Sequence, residues 1–253
     1  MSRVKTPQEI QAMKEGGAML ATVLAKVKAA AVPGISGKEL SAIAAQELKA
    51  LGGEPAFLGV PGGPGVPDFP DVLCVSISEE VQHGLPSDRV LVDGDIVNFD
   101  FGVKWKGLIT DSGLTVAVGN VDKDGQRLLQ GTEQALWDGL AEIRDGAHIR
   151  DVSSAIEDTL EDYGLGIVLE LVGHGVGDHL HEEPEIPNYR IRGYDYVLKA
   201  GETIAVEPIA TLGKGDIVFA DDGWTILSKD GSYSAQFEHT VVVTETGYEI
   251  LTQ

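Results

Sequence analysis

The order of predicted secondary-structure elements repeats along the chain, and this repeat limits the folds that are open to it. In the first half, helices over residues 6–32 and 38–51 precede strands over 72–77, 96–103 and 114–118. In the second half, helices over residues 125–143 and 149–163 precede strands over 168–172, 203–210, 224–227 and 237–243. Helices and strands come in groups rather than alternating one by one, so the order predicts an α+β fold made of two similar halves.

A faint internal sequence repeat points the same way. Four residues of the first half recur at one constant spacing in the second: Gly34, Ser41, Leu48 and Gly52 return as Gly146, Ser153, Leu160 and Gly164. These are common residues, and the matches gain weight from the repeated element order. We therefore expect one catalytic domain over residues 1–253 whose halves, roughly 1–120 and 121–253, face each other across a pseudo-twofold axis.

Local signals set the limits of several elements. Thr6 and Glu9 have the spacing of a capping box around Pro7 at the start of the first helix. The last two strands of the first half are expected to pair as a hairpin across residues 104–107. Residues 59–67 are rich in glycine and proline and can form neither a helix nor a central strand. They are either a surface loop within one domain or a linker between two.

Composition narrows the functional classes. With 19 Lys and Arg against 40 Asp and Glu, the formal net charge is −21, and a field of that sign repels nucleic-acid phosphate. No apolar stretch reaches the roughly 18–20 residues of a membrane span, and residues 1–14 lack the apolar core of a signal peptide. Cys74 is the single cysteine, which excludes an internal disulfide and a cysteine-built zinc module. We expect a cytoplasmic monomer with no nucleic-acid or membrane partner.

Five residues of metal-ligand type are spread over the later part of the chain, each in a distinctive local sequence. They are Asp100, Asp111, His174, Glu207 and Glu238. Asp100 and Asp111 flank the predicted hairpin turn, which would bring both carboxylates onto one face of the sheet. Asp100 stands among apolar strand residues, where an unpaired carboxylate costs a great deal of free energy. Either a metal ion or a buried hydrogen bond must therefore compensate.

The other residues of this set have comparable settings. His174 lies in a glycine-rich stretch followed by His179 and His181; glycine permits close approach of an ion or substrate, although a structural histidine cluster would look the same. Glu207 follows an apolar strand and has no Lys or Arg beside it. Together, four carboxylates and one imidazole suit two divalent cations, roughly 3.5–4 Å apart, that activate a water for hydrolysis. Co, Mn, Fe or Zn would serve in such a site.

At these motifs the chain resembles the type I methionine aminopeptidases, which have the pita-bread fold of the creatinase and aminopeptidase group. The resemblance covers nearly the whole chain. Its most specific segments are residues 81–86 (Val-Gln-His-Gly-Leu-Pro), 93–98 (Asp-Gly-Asp-Ile-Val-Asn), 173–184 and 234–240 (Ser-Ala-Gln-Phe-Glu-His-Thr). It implies a curved antiparallel sheet with helices on the outside. It also implies a dinuclear metal-dependent enzyme that removes N-terminal methionine from nascent proteins when the second residue is small.

The resemblance assigns a role to each of the ligand-type residues. Asp111 and Glu238 would bridge two metal ions. Asp100 would bind one of the ions, and His174 and Glu207 would bind the other. Glu207 would also accept the proton of the attacking water and return it to the leaving amine.

The resemblance also identifies residues that would contact the substrate. His83 and His181 would contact the scissile amide and stabilise the developing oxyanion. Phe69 and Trp224 would form two aromatic walls of the methionine pocket. The chain departs from the family pattern at Leu180, where an aromatic residue is usual, and at the 59–67 segment. These departures concern the pocket and leave the ligand set intact.

Two other interpretations stay open. One is a related metalloaminopeptidase of different N-terminal specificity, including the Xaa-Pro enzymes, which usually carry Arg-x-Glu-Asp where this chain has Gln-Phe-Glu-His at 236–239. The other is a non-catalytic pita-bread binding protein, which would be expected to have lost ligands. The resemblance implies peptide or nascent-chain N-termini as partners and allows a transient association with the ribosome. The chain's own Met1-Ser2 is an N-terminus of the kind such an enzyme processes.

Overall fold

The helices begin where the sequence provides capping side chains. Within residues 3–253, which the computed structural model describes, they are α1 (Pro7–Ala30), α2 (Gly37–Leu51), α3 (Lys123–Ala141) and α4 (Ile149–Asp162); the Met1-Ser2 sequence lies outside the described residues. Thr6 with Glu9, and Ser36 with Glu39, each form a complete capping box. The four predicted helices are confirmed to within a few residues. None of the helices in the described range is long and apolar enough to cross a membrane.

The strands of the first half centre on one long hairpin. They are β1 (Glu54–Pro55), β2 (Cys74–Ile77), β3 (Glu80–Gln82), β4 (Ile96–Trp105) and β5 (Leu108–Ala117). The predicted hairpin is confirmed: β4 and β5 turn at Lys106 and Gly107, whose φ angles of 50° and 85° suit a two-residue hairpin turn. β5 begins earlier than predicted, because polar residues such as Asp111 hide the strand pattern of its first half. The two short strands β1 and β3 were not predicted.

The strands of the second half differ more from the prediction. They are β6 (Gly166–Ile167), β7 (Gly173–Gly175), β8 (Glu182–Ile186), β9 (Thr203–Val206), β10 (Ile209–Thr211), β11 (Ile217–Phe219), β12 (Ile226–Ser228), β13 (Ser234–Gln236), β14 (His239–Val243) and β15 (Tyr248–Ile250). The strand predicted over 168–172 is wrong, because those residues bend between β6 and β7 along the wall of a cavity. The strand predicted over 203–210 is interrupted at Glu207-Pro208, and the strand predicted over 237–243 begins only at His239, because Phe237-Glu238 separate it from β13. Pro208 has no N–H to continue a ladder.

All paired strands run antiparallel. β5 joins β4 in a sheet of order β1-β4-β2, and the largest sheet of the second half has the order β15-β14-β9-β7-β8. Two three-stranded sheets, β13-β10-β6 and β11-β12-β3, complete the set. α1 packs on the β4–β5 hairpin, whereas α3 and α4 pack on each other and on strands of the second half. The helices therefore cover the outside of the sheets.

Two hydrophobic cores follow the two halves of the chain. One is built from buried residues between Leu20 and Val118, and the other from buried residues between Leu128 and Val243 together with Ile96. The order helix, helix, short strand occurs in both halves: β1 follows α2 and pairs with β4, and β6 follows α4 and pairs with β10. The repeat of elements is thus visible in the structure, while the division into halves near residue 120 stays a prediction.

Candidate metal centre

The β4–β5 hairpin sets Asp100 and Asp111 on the same face of its sheet. In the register of the hairpin, Asp100 lies opposite Gly113 and Asp111 lies opposite Gly102. The two aspartates are therefore diagonal neighbours, close enough for their side chains to meet. Both are buried, with 5% and 3% of their surface exposed. This is the arrangement that the sequence predicts for the pair.

Glu207 and Glu238 enter the same space at the two strand interruptions. Val206 pairs with His239 and Ile209 pairs with Gln236, so the interruption between β9 and β10 faces the one between β13 and β14. The backbone N–H of Glu238 donates to the carbonyl of Gly113 on β5 at 2.8 Å, which ties this point to the aspartate-bearing hairpin. Both glutamates are buried. The sequence predicts the residues but not the broken strands that bring them together.

His174 on β7 completes the group. Its Nδ1 lies 2.9 Å from the carbonyl oxygen of Gly175, so Nδ1 carries the proton and Nε2 has a free lone pair. Burial lowers the pKa of His174 to about 3, which keeps the ring neutral at physiological pH. Nε2 lies 3.4 Å from Glu207 Oε1. A neutral imidazole with a free Nε2 is the form that binds a metal ion.

The five ligand-type residues line one cavity. Ligand atoms of Asp111, His174 and Glu238 all lie within 4.8 Å of one another. Three buried carboxylate oxygens in this group have no hydrogen-bond partner: Asp100 Oδ1, Asp111 Oδ1 and Glu238 Oε1. Unpaired buried oxygens carry a large free-energy cost, which divalent cations would remove. The residues present therefore fit a metal centre rich in oxygen ligands.

The carboxylates of the cluster hold protons more tightly than usual. Burial, together with repulsion from neighbouring carboxylates, raises the pKa values of Asp100, Glu207 and Glu238 well above the normal range. Burial raises the pKa of Asp111 to about 7. Among residues 3–253, the one histidine, lysine or arginine within ion-pair distance of these four carboxylates is the neutral His174, which contacts Glu207. When these carboxylates ionise, the cluster thus has no cationic side chain to balance its negative charge.

His83 and His181 stand beside this cluster. His83, at the end of β3, has a left-handed backbone with a φ of 55°, a strained conformation for a residue other than glycine. Burial lowers its pKa to about 4, so its ring is neutral. The His181 ring packs edge-on against the His174 ring at 4.5 Å between centroids. Both histidines line the cavity, with His181 exposed at its mouth, whereas His179 is exposed and does not line the cavity.

Buried charges hold the loop that carries His181. The Lys5 side chain is fully buried, and its ammonium lies 3.2 Å from Asp178 and 3.5 Å from Glu182. Glu182 in turn accepts the backbone N–H of His179 at 2.8 Å through its other oxygen. The N-terminal segment before α1 thereby fixes the position of the loop at the cavity mouth. Sequence reasoning did not assign Lys5 a role, since its partners lie far along the chain.

The far end of the cavity is apolar. Its walls are Phe57, Val60, Phe69, Cys74, Leu180 and Trp224, and the whole cavity has a volume of about 460 Å³. The Phe69 and Trp224 rings pack edge to face at 5.1 Å, as two adjacent walls. The contributions of Phe57, Val60 and Cys74 were missed; Cys74 lies opposite Asp100 in the strand register, which only the pairing of β2 with β4 reveals. Burial and nearby carboxylates raise the pKa of the Cys74 thiol, so it stays protonated.

The 59–67 segment closes this apolar end. The backbone N–H of Gly59 donates to Phe69 at 2.9 Å, and that of Phe69 donates to Val60 at 2.8 Å, so the segment returns on itself as a loop. The indole N–H of Trp224 donates to the carbonyl of Pro67 at 2.9 Å. The segment therefore has the form of a loop, one of the two interpretations left open, and it braces one wall of the cavity.

Comparison with known proteins gives a consistent result. The model of metallopeptidase family M24 matches residues 11–245. Methionine aminopeptidase 1 of Bacillus subtilis is 41% identical over 98% of both chains. The crystal structure of methionine aminopeptidase from Thermotoga maritima superposes with a TM-score of 0.95 at 40% identity, covering all of both chains. An Xaa-Pro dipeptidase from Bacillus anthracis superposes with a TM-score of 0.79 at 23% identity. The match covers 99% of this chain and 62% of the dipeptidase, and it shows the fold alone.

Proposed function

The chain belongs to metallopeptidase family M24, and we propose that it is a methionine aminopeptidase whose two divalent metal ions are bound by the five-residue cluster. It has the pita-bread fold and removes N-terminal methionine in a metal-dependent reaction. The observation that carries the assignment of the ions is the set of three unpaired, buried carboxylate oxygens, on Asp100, Asp111 and Glu238, in the cavity that His174 also lines. If ionised, the four carboxylates would balance the charge of two divalent cations, with His174 neutral.

The protein's own residues divide the work of hydrolysis. When bound, divalent ions lower the pKa of water and polarise a peptide carbonyl. Asp100, Asp111 and Glu238 provide charge at fixed positions. Glu207 is suited to hold the proton of the water on its carboxylate and to pass it to the leaving amine, because its Oε1 lies inside the cluster, 3.4 Å from the Nε2 of the neutral His174. The neutral His83 is suited to donate a hydrogen bond to the scissile amide oxygen, and His181 faces the same space.

The apolar end of the cavity suits the methionine side chain. Phe69 and Trp224 offer aromatic faces and edges, which make favourable contacts with a thioether sulfur. We extend the proposal to nascent proteins with a small second residue, processed in the cytoplasm by a monomer in transient contact with the ribosome. Peptide N-termini are the partners that this reaction requires.

Hydrolysis of two tripeptides after metal removal tests the proposal. Metal-free protein should release no methionine from Met-Ala-Ser, and addition of Mn(II) or Co(II) should restore the release. Asp100→Ala should abolish the restored activity, while His179→Ala, a change in a histidine that does not line the cavity, should retain it. Cleavage of Ala-Pro-Ser alone would favour the Xaa-Pro alternative. Bound metal with no hydrolysis of either peptide would favour a binding role.

A further inference from the structure

Two buried glutamine side chains lie against the carboxylate cluster, and the reaction described above uses neither. Gln82, with 2% of its surface exposed, donates an Nε2 hydrogen to Asp100 Oδ2 at 3.1 Å. Gln236, with 0% exposed, donates from Nε2 to Glu207 Oε2 at 3.4 Å and to Glu238 Oε2 at 3.2 Å. Three of the four carboxylates thus each accept a glutamine hydrogen bond through one of their two oxygens.

The second oxygen of each of these three carboxylates is not bonded to a glutamine. Asp100 Oδ1 and Glu238 Oε1 have no hydrogen-bond partner. Glu207 Oε1 faces His174 Nε2, which has no hydrogen to give. Neither glutamine reaches Asp111. The two amides therefore divide the carboxylate oxygens into a set bonded to the protein and a set suited to cations.

The amide of Gln236 is held in one orientation. Asn98 Nδ2 donates to Gln236 Oε1 at 2.9 Å, which turns the Nε2 group toward the two glutamates. The reverse orientation would set Oε1 against two carboxylates. Gly113 makes room for this amide, because a Cβ at that position would overlap Gln236 Oε1. Asn98, Gly113 and Gln236 thus form one unit behind the cluster.

The amide of Gln82 differs from that of Gln236, because only its nitrogen has a hydrogen-bond partner. Its Oε1 is buried without a hydrogen-bond partner, which costs free energy because the hydrogen bonds to water lost on burial are not replaced. A residue kept for stability alone would not leave that atom unpaired. The hydrogen bond from Gln82 to Asp100 therefore explains the presence of the amide better than a contribution to stability does.

We propose that Gln82 and Gln236 are positioning residues that orient Asp100, Glu207 and Glu238 for metal binding without neutralising them. The inference rests on the proposed function, since it needs metal ions in the cluster. A neutral amide holds a carboxylate oxygen and leaves its charge for the cation, whereas a Lys or Arg in the same place would compete with the cation for that charge. Outer partners of this kind commonly change metal affinity by about 10–100-fold when removed.

Calorimetric titration of metal-free protein with Mn(II) tests the role of the two amides. Gln82→Leu and Gln236→Leu remove the donors, and Gln82→Asn and Gln236→Asn keep an amide that is too short to reach. Each change should lower Mn(II) affinity about 10–100-fold. The control is Thr132→Val, a fully buried polar residue whose hydroxyl bonds within α3. It should lower the melting temperature of the metal-free protein and leave Mn(II) affinity unchanged.

The outcomes separate this inference from the proposed function. Wild-type affinity in all four glutamine variants would overturn the positioning role, as would a loss of affinity no larger than that of Thr132→Val. If the Leu variants do not fold, the Asn variants decide between these results. Wild-type binding of Mn(II) that is insensitive to Asp111→Asn would instead contradict the proposed metal centre itself.

Discussion

The two ends of the cavity are built on different parts of the fold. At the carboxylate end, the side chains come from the long β4–β5 hairpin, from β7 and from two facing strand interruptions, and buried amides hold three of them. At the apolar end, Val60, Leu180 and Trp224 lie outside helices and strands, and the 59–67 loop braces Trp224. The sheet therefore fixes the groups for chemistry, whereas loops shape the pocket. Loops tolerate sequence change better than the elements they connect, so specificity can vary while the metal centre stays intact.

The largest effect should follow from a change at the carboxylate end. Asp111→Asn keeps the shape of the side chain and removes one negative charge from the centre of the cluster. Because metal ions contribute several kcal/mol to hydrolysis, kcat/KM for Met-Ala-Ser should fall about 10³-fold or more. Metal content should be measured on the same sample. Activity within tenfold of wild type at full metal occupancy would contradict the assigned centre.

Removal of the histidine at the boundary between the two ends should have the next largest effect. His181→Ala should lower kcat by about 10²–10³-fold, as loss of an oxyanion donor does elsewhere. His179→Ala, in the same loop but outside the cavity lining, should change kcat less than twofold. Metal affinity should stay near the wild-type value in both. Equal losses in the two variants would show that the loop as a whole, rather than the His181 ring, is responsible.

A change at the apolar end should alter selectivity more than chemistry. Trp224→Ala removes one wall of the pocket, and differences in apolar contact of this size are worth about 1–3 kcal/mol. The preference for Met-Ala-Ser over Ala-Ala-Ser should therefore fall about 10–100-fold, with Mn(II) affinity unchanged. The comparison of kcat/KM for the two peptides checks this. A parallel loss of metal affinity would mean that the two ends are coupled and not separate.

The carboxylate end should make metal binding depend on pH. In the metal-free protein the pKa of Asp111 is raised to about 7, and the other three carboxylates are raised too, so bound protons must leave when metal binds. Mn(II) affinity should rise by up to about tenfold per pH unit, for each proton displaced, as pH increases toward 7. For the metal-free protein the sign is opposite: the stabilisation from these protonated groups is complete below their unfolded pKa values and is lost as pH rises through the folded values. Calorimetry in buffers of different ionisation enthalpy would count the protons released, and a count of zero would contradict the shifted carboxylates.

The sequence predicts the centre better than it predicts the strands that hold it. Thr6 and Glu9 mark a helix start because capping is local. Asp100 and Asp111 could be placed together because a short turn joins their strands. Glu207 and Glu238 could be identified by residue type and apolar setting, but the facing interruptions depend on the pairing of Val206 with His239, which no local pattern encodes.

The apolar end was predicted least well, for a related reason. Phe69 and Trp224 were expected as walls, but Cys74 becomes one only through its place opposite Asp100. The bond from Trp224 to Pro67 joins two distant segments, so the role of the 59–67 loop was not visible in its composition. The glutamine contacts with the cluster are likewise long-range. Residue type identifies the chemistry, and the contacts that orient it depend on the folded chain.

A crystal structure of the Mn(II)-loaded protein would show most directly whether the cluster holds two metal ions. An anomalous difference map collected at the manganese edge locates the ions without reference to the protein atoms. We predict two peaks among Asp100, Asp111, His174, Glu207 and Glu238, roughly 3.5–4 Å apart. A single peak, or peaks outside this cluster, in crystals of protein that is fully active would contradict the account.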